Sequence, residues 1–120
     1  MFDRVKYKYS APPPILQVLY EGEEIAELRH ERERYVFCYL DAFRRKGLAP
    51  LPGLPDGEPR VSFELPRFFA ERIPDTQRPE IKELIRQKGI SEDDKLALLA
   101  ELSRRSVTDP FELVLEHPAA

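Results

Sequence analysis

The sequence is poor in the residues on which disulfide scaffolds and nucleotide-binding loops depend. It has one cysteine, no tryptophan and five glycines among 120 residues. One cysteine cannot form an intrachain disulfide, which fits a reducing cytoplasm. Cys38 lies in the apolar run from Tyr35 to Tyr39, where a free thiol is more often a small core side chain than a nucleophile. The glycines are scattered, whereas a phosphate-binding loop needs them closely spaced, so the sequence argues against a nucleotide-binding enzyme.

Long apolar runs are also missing. No stretch approaches the length that crosses a membrane, and the first residues, Met1 to Arg4, lack the apolar core of a signal peptide. We therefore expect a cytoplasmic protein without a membrane segment.

The charge balance lacks a basic excess. There are 22 acidic and 19 basic residues, a net charge of -3, whereas generic binding to a phosphate backbone needs a positive surface. The two short basic clusters, at residues 44–46 and 104–105, each end a predicted helical segment, where cations interact favourably with the helix dipole. We expect no direct contact with nucleic acid.

A catalytic constellation is not evident in the sequence. Neither histidine, His30 or His117, has an obvious nucleophile as its partner, and no serine, histidine and acid follow a triad motif. The acidic residues Glu92, Asp93 and Asp94 could bind a cation, but their place at the start of a predicted helix explains them without one. We expect a protein that is not an enzyme and has no cofactor, metal ion or small-molecule substrate.

What the sequence does contain is the composition of one ordinary globular domain. Hydrophobic residues make up 42% of the chain and charged residues 34%, and twelve prolines predict rigid loops between short elements. Residues 1–14 form a predicted arm and proline-rich linker, and residues 15–116 a single domain. The arm alternates apolar and charged residues from Phe2 to Tyr9, as an edge strand or a free arm would. Pro12 to Pro14 favour a rigid linker over a ligand for an SH3-like module.

The first half of the domain has the alternation of a β-meander. Strands are predicted at residues 15–20 and 25–29, joined by a turn at residues 21–24, and a third strand at residues 35–39 follows a charged loop from His30 to Arg34. A short helical turn at residues 42–47, ended by a glycine, precedes a rigid loop rich in proline and a fourth strand at residues 60–64.

The second half has helical periodicity. Apolar residues at Ile81, Leu84 and Ile85 predict a helix that starts at Pro79 and ends at Gly89. A leucine-rich helix follows, for which we expect Ser91 as the N-cap and Asp94 as the acid of a capping box. Asp109 and Pro110 predict a turn, and residues 111–116 a last strand. The chain is thus expected to be an α+β domain: a small antiparallel β-sheet or partial barrel, with helices packed on one side.

The stretch from Leu65 to Asp75 is the most distinctive part of the chain. Phe68 and Phe69 form an aromatic helical turn that Pro74 and Asp75 close, and a charged helix, Gly89-Ile90-Ser91, an acidic cap and the leucine helix follow in order. Upstream, aromatic, glycine and leucine residues are spaced in a second pattern, at Tyr20, Gly22, Leu28, Tyr35, Phe37 and Tyr39. Over residues 15–115 the chain resembles the first N-terminal subdomain of HipA-type toxin kinases, in which a turn of the form FFxNLLPEG takes the place of Phe68 to Thr76.

The resemblance implies a binding protein. In the full-length kinases the ATP-binding and catalytic residues belong to a separate domain, and this chain is expected to end before such a domain begins. As a separate small protein, in three-component toxin–antitoxin systems of the HipBST type, the subdomain resembles an antitoxin that binds and restrains the kinase. The DNA-binding role then belongs to a helix-turn-helix partner. We therefore expect an antitoxin-like protein, and as the alternative a scaffold that self-associates or bridges kinase and repressor without inhibition.

The partner-binding surface is expected on the aromatic turn, at Arg67, Phe68, Phe69, Arg72 and Asp75, with the loop from Pro52 to Pro59. The competing interpretation is that at least one of the two phenylalanines is buried against the leucine helix. The chain departs from the family at Arg72-Ile73-Pro74-Asp75-Thr76, which replaces LLPEG, and at residues 103–109, which lack the family's glycines. Without a tryptophan, inhibition by an inserted tryptophan cannot operate here.

Overall fold

The fold combines an open antiparallel sheet with helices on one of its faces. The computed structural model describes residues 14–103 and 110–116. The strands are β1 Ile15–Tyr20, β2 Glu23–Glu31, β3 Arg34–Tyr39, β4 Arg60–Ser62 and β5 Phe111–Glu116. The helices are α1 Asp41–Arg45, α2 Arg67–Ala70, α3 Pro79–Lys88 and α4 Lys95–Leu102. The strand order is β4-β3-β2-β1-β5, and all neighbours are antiparallel. The predicted α+β class is confirmed, with an open sheet in place of a partial barrel.

The two hairpins of the meander are tighter than the sequence predicted. The first turn consists of Glu21 and Gly22 alone, because β2 already begins at Glu23. The predicted loop from His30 to Arg34 is wrong, because β2 continues to Glu31 and only Arg32 and Glu33 form the turn. These two residues have φ values of 49° and 64°. Two left-handed residues match the strand twist in a two-residue hairpin, a conformation that usually selects Asn-Gly or Asp-Gly. Arg32 and Glu33 match neither pair, so the sequence did not indicate a two-residue turn here.

The core lies between the sheet and the helices. Neighbouring strands align Leu16, Leu28 and Phe37 across one face of the sheet, and all three are almost completely buried. Helix α4 packs on this face through Leu96 and Leu99. The same helix buries other leucines against α3 in a second cluster, which consists of Ile81, Ile85, Leu98 and Leu102. A helix that is buried on more than one side needs apolar residues around most of its circumference, which explains the leucine-rich sequence.

The helix ends follow the sequence signals with one correction. Helix α3 starts at Pro79 and ends at Gly89, which has the left-handed φ of 67°, so both predicted bounds are confirmed. Ser91 is not the N-cap of the leucine helix. The cap is Asp94, whose carboxylate accepts a hydrogen bond from the Ala97 backbone N–H at 3.2 Å. An aspartate is as good an N-cap as a serine and lies one turn closer to the leucines, so the helix starts later than predicted.

The predicted last strand is present, whereas several other predicted segments lie outside the described residues. β5 forms the edge beside β1, with Leu113 opposite Val18, which confirms the predicted strand. The N-terminal arm, Arg104, Arg105 and the turn residue Asp109 lie outside the described residues. Within the described ranges, no helix has the length and apolar character needed to cross a membrane.

Candidate partner-binding surface

The aromatic turn folds as the one-turn helix α2. The backbone N–H groups of Phe69 and Ala70 both donate to the Pro66 carbonyl at 2.9 Å, so the helix begins directly after this proline. Arg67 and Glu71 form an exposed ion pair one turn apart, with 2.7 Å between Nε and Oε1. Such a pair adds a few tenths of a kcal/mol to a helix. Most of the stability of α2 must therefore come from its buried face.

That buried face contains both phenylalanines. Phe69 is fully buried, with its ring centroid 5.8 Å from that of Phe37 in β3. Phe68 is 4% exposed and points towards the sheet edge, with its centroid 5.9 Å from that of Phe111 in β5. The structure thus places both rings in the core, as the competing interpretation of the sequence had it. Their contact with a partner stays a prediction, and any contact would reach only a small exposed part of Phe68.

The Arg72 guanidinium lies over the Phe68 ring. Its guanidinium carbon lies 3.6 Å from the ring centroid, and Nη1 donates to the Phe68 carbonyl at 2.7 Å. The residue is only 7% exposed. Burial lowers the pKa of the Arg72 guanidinium, and the charge of Glu71 offsets part of this effect. Arginine titrates so far above neutral pH that the group stays charged. A cation over a desolvated ring contributes about 2 kcal/mol, so Arg72 holds this side of the turn rigid.

Two hydrogen bonds with the Tyr39 hydroxyl hold the loop that precedes β4. The Leu51 backbone N–H donates to the Tyr39 hydroxyl at 2.8 Å, and the hydroxyl donates in turn to the Leu54 carbonyl. Leu51 and Leu54 are each 3% exposed. Burial raises the pKa of the Tyr39 phenol, which keeps its proton available for this bond. With its two leucines buried, the loop presents the exposed residues between them, Pro52 and Gly53, to solvent.

The loop tip and α2 together form a cleft. It has a volume of about 620 Å³ and is lined by Pro52, Gly53, Arg67, Phe68, Glu71, Arg72 and Phe111. A smaller cleft of about 330 Å³ lies on the other side of the loop tip, towards β4, and shares Pro52, Gly53 and Arg67 with the first. A cleft with an apolar floor and a few charged groups at its rim is a common form of binding site.

The structure brings together only part of the predicted surface. Arg67, Phe68 and Arg72 meet the loop from Pro52 at the larger cleft. Phe69 points into the core instead. Asp75 is exposed but does not line the cleft, and its carboxylate accepts from the Gln77 backbone N–H at 2.9 Å in the turn that leads to α3.

The far end of the predicted loop is anchored away from the cleft. Asp56 accepts a hydrogen bond from Arg44 of α1, with 2.9 Å between Nη2 and Oδ1, and another from the Gly57 backbone N–H. Of the predicted loop, Pro52 and Gly53 line the larger cleft.

Sequence reasoning missed two features of this end of the molecule. Phe111 lines the cleft, although it is 43 residues from Phe68 along the chain, and only the pairing of β5 with β1 brings it there. Phe63 is 77% exposed directly after β4. Apolar and polar residues alternate in the predicted strand at residues 60–64, but this pattern does not show which face of the strand is buried.

Metal and nucleophile chemistry have little support at the other candidate positions. In the ranges that the structure describes, no group of three or more acidic, histidine or cysteine side chains is arranged to hold a metal ion. Cys38 is half-buried in β3, and its thiol lies 3.4 Å from the Tyr39 carbonyl. The residues around α2 offer a concave, mostly apolar surface to another molecule.

Comparison with known proteins adds one match. A family model described as the HipA N-terminal domain matches residues 16–107, more than three quarters of the chain. A search of curated proteins found no match.

Proposed function

The chain belongs to the HipA N-terminal domain family, and on that premise we propose that it binds a HipA-type serine/threonine kinase and restrains it. The family itself suggests a role related to toxin–antitoxin systems. Its N-terminal domain is distinct from the domain that carries out phosphoryl transfer, so the chain acts by contact and not by catalysis. In this proposal it is an antitoxin-like protein.

The observation that carries the proposal is the cleft between α2 and the loop tip. Three residues of the distinctive stretch from Leu65 to Asp75, namely Arg67, Phe68 and Arg72, line one concave surface with Pro52. Protein interfaces are typically centred on aromatic and arginine side chains in such pockets.

Within this surface, Arg67 is the residue to test. Its side chain is 88% exposed, so it can contact a partner, and its removal takes little from the core. By contrast, a double replacement of Phe68 and Arg72 would remove two buried side chains. A loss of binding in that variant could not be separated from unfolding.

The experiment is co-purification of the chain with a HipA-type kinase encoded beside it, followed by kinase autophosphorylation with increasing amounts of the chain. We expect binding and a loss of phosphorylation. Arg67→Ala should weaken the affinity about tenfold, as truncation of an interface arginine commonly does. The matched control is Arg86→Ala, because Arg86 is also an exposed helical arginine that is paired with a glutamate of its own helix.

Other outcomes separate the alternatives. Binding with unchanged phosphorylation favours the scaffold that links the kinase to a helix-turn-helix DNA-binding partner. Equal loss of affinity in both arginine variants removes α2 as the contact surface. No binding at all leaves the family assignment without the antitoxin function.

A further inference from the structure

The outermost strand β4 has an apolar exposed side that the proposed kinase contact does not use. Val61 is 55% exposed and Phe63 77%, and they are the two large hydrophobic residues that stand out as exposed in the described ranges. Neither lines the larger cleft, and Val61 lines the smaller one. A single exposed hydrophobic residue is ordinary, but one in an edge strand and another two residues later, directly after the strand, together form an interaction site.

β4 is also an open edge. It pairs with β3 on one side, with Val61 opposite Val36, and within the described residues no strand lies on its other side. Val61 shares the helix-free face of the sheet with Val36, since their neighbours Phe37 and Tyr35 point into the core. The strand therefore offers backbone hydrogen-bonding groups together with an apolar side chain. Natural edge strands are usually protected by charges or by bulges; here Pro59 limits the strand, and the charged residues Arg60 and Glu64 flank the two apolar ones.

We propose that this edge binds the same edge of a second copy of the chain, as an antiparallel pair centred on Ser62. In such a two-fold pairing, Arg60 of one copy lies opposite Glu64 of the other, and Val61 lies opposite Phe63. The sequence Arg-Val-Ser-Phe-Glu is thus complementary to itself in both charge and apolar character. Opposite charges and apolar pairs directly across two strands each stabilise the pairing, and a two-fold axis forms every such contact twice.

The pairing requires one local change. Beyond Ser62 the chain bends, and the Ser62 hydroxyl donates to the Glu64 carbonyl at 2.6 Å. Glu64 is exposed and Ser62 is half-buried, and the change has to end before Leu65, which packs against the core. Backbone hydrogen bonds to the second copy replace the one that is lost. Because only about five residues of each chain pair, the contact area is below that of a standard interface, and the dimer is weak and dependent on concentration.

The test is sedimentation velocity of the full chain at concentrations up to about 500 µM, where contacts smaller than a standard interface become populated. We expect a reversible monomer–dimer equilibrium. Arg60→Glu and Glu64→Arg each place like charges opposite one another twice, and each should weaken the dimer about tenfold. The double variant exchanges the two charges and should restore the wild-type constant.

Mixing supplies the most specific readout. Arg60→Glu has acids at both positions and Glu64→Arg has arginines at both, so an equimolar mixture should form a heterodimer more tightly than either variant forms a homodimer. Lys82→Glu, an exposed charge reversal on α3, controls for the change in net charge and should leave the dimer intact. Phe63→Ser should weaken it.

Three results would overturn the proposal. The first is a wild-type chain that remains monomeric at all concentrations. If Phe63→Ser then weakens kinase binding, the edge binds another protein and not a second copy. The second is a dimer that none of these changes affects. The third is a double variant that stays as weak as the single ones. None of these outcomes depends on whether the chain inhibits a kinase.

Discussion

Two phenylalanines six residues apart should respond in opposite ways to the same substitution. Phe69 is fully buried between α2 and β3, and Phe63 is 77% exposed. Phe69→Ala removes a ring that packs on Phe37 and Phe68, and such a truncation in a core lowers the free energy of unfolding by about 3–5 kcal/mol. Phe63→Ala removes a ring from solvent and should change it by no more than about 0.5 kcal/mol.

Urea unfolding followed by circular dichroism measures both values, and the tyrosines give a second probe because the chain has no tryptophan. For a slope of about 1–2 kcal/mol per molar urea, the Phe69→Ala midpoint should fall by about 1.5 M or more. If Phe69→Ala does not fold, Phe69→Leu keeps most of the apolar volume and should lose only about 1 kcal/mol. Equal midpoints for Phe69→Ala and Phe63→Ala would show that the assignment of α2 to the core is wrong.

Three further substitutions test the local structure. Asp94→Ala should lower the free energy of unfolding by about 1 kcal/mol in urea unfolding, and Ser91→Ala by clearly less, whereas the reverse order would restore Ser91 as the cap. Gly89→Ala should lower the thermal midpoint through a loss of about 1 kcal/mol, because alanine is strained at the left-handed φ of 67° although its Cβ would meet nothing within 4 Å; an unchanged midpoint would contradict this helix end. Hydrogen bonds from Arg45 and then Lys46 lower the pKa of Glu23 below its ordinary 4.5, so the stabilisation is present above pH 4.5 and is lost as the pH falls below it. The stability difference between wild type and Glu23→Gln, measured by urea unfolding from pH 7 to 3, should therefore disappear at the acid end, and a difference that grows there would refute the ion pair.

Most of the fold follows from local patterns that the sequence displays directly. The period of the apolar residues, the proline at the start of α3 and the glycine at its end give the helix, and alternation gives the strands. The errors arose where a local alternative was equally good. Asp94 could cap the leucine helix as well as Ser91, and the turn at Arg32 and Glu33 relies on left-handed conformations in residues that rarely adopt them.

The candidate site was harder to predict because it depends on contacts between distant segments. Phe68 and Phe69 are adjacent in sequence, yet one points to β5 and the other to β3. Only the position of β5 at the sheet edge shows that Phe111 completes the cleft. Burial of Arg72 was also not evident, since an arginine is normally exposed; here its stacking on the Phe68 ring and its hydrogen bond to the Phe68 carbonyl both compensate for its burial.

The most direct test of the proposed restraint is a titration of this chain into a HipA-type kinase, with autophosphorylation as the readout. The proposal predicts that phosphorylation falls as the wild-type chain is added. About ten times more Arg67→Ala should be needed for the same effect, and Arg86→Ala should behave as wild type. Phosphorylation that is unchanged at every concentration of the wild-type chain would contradict the proposal.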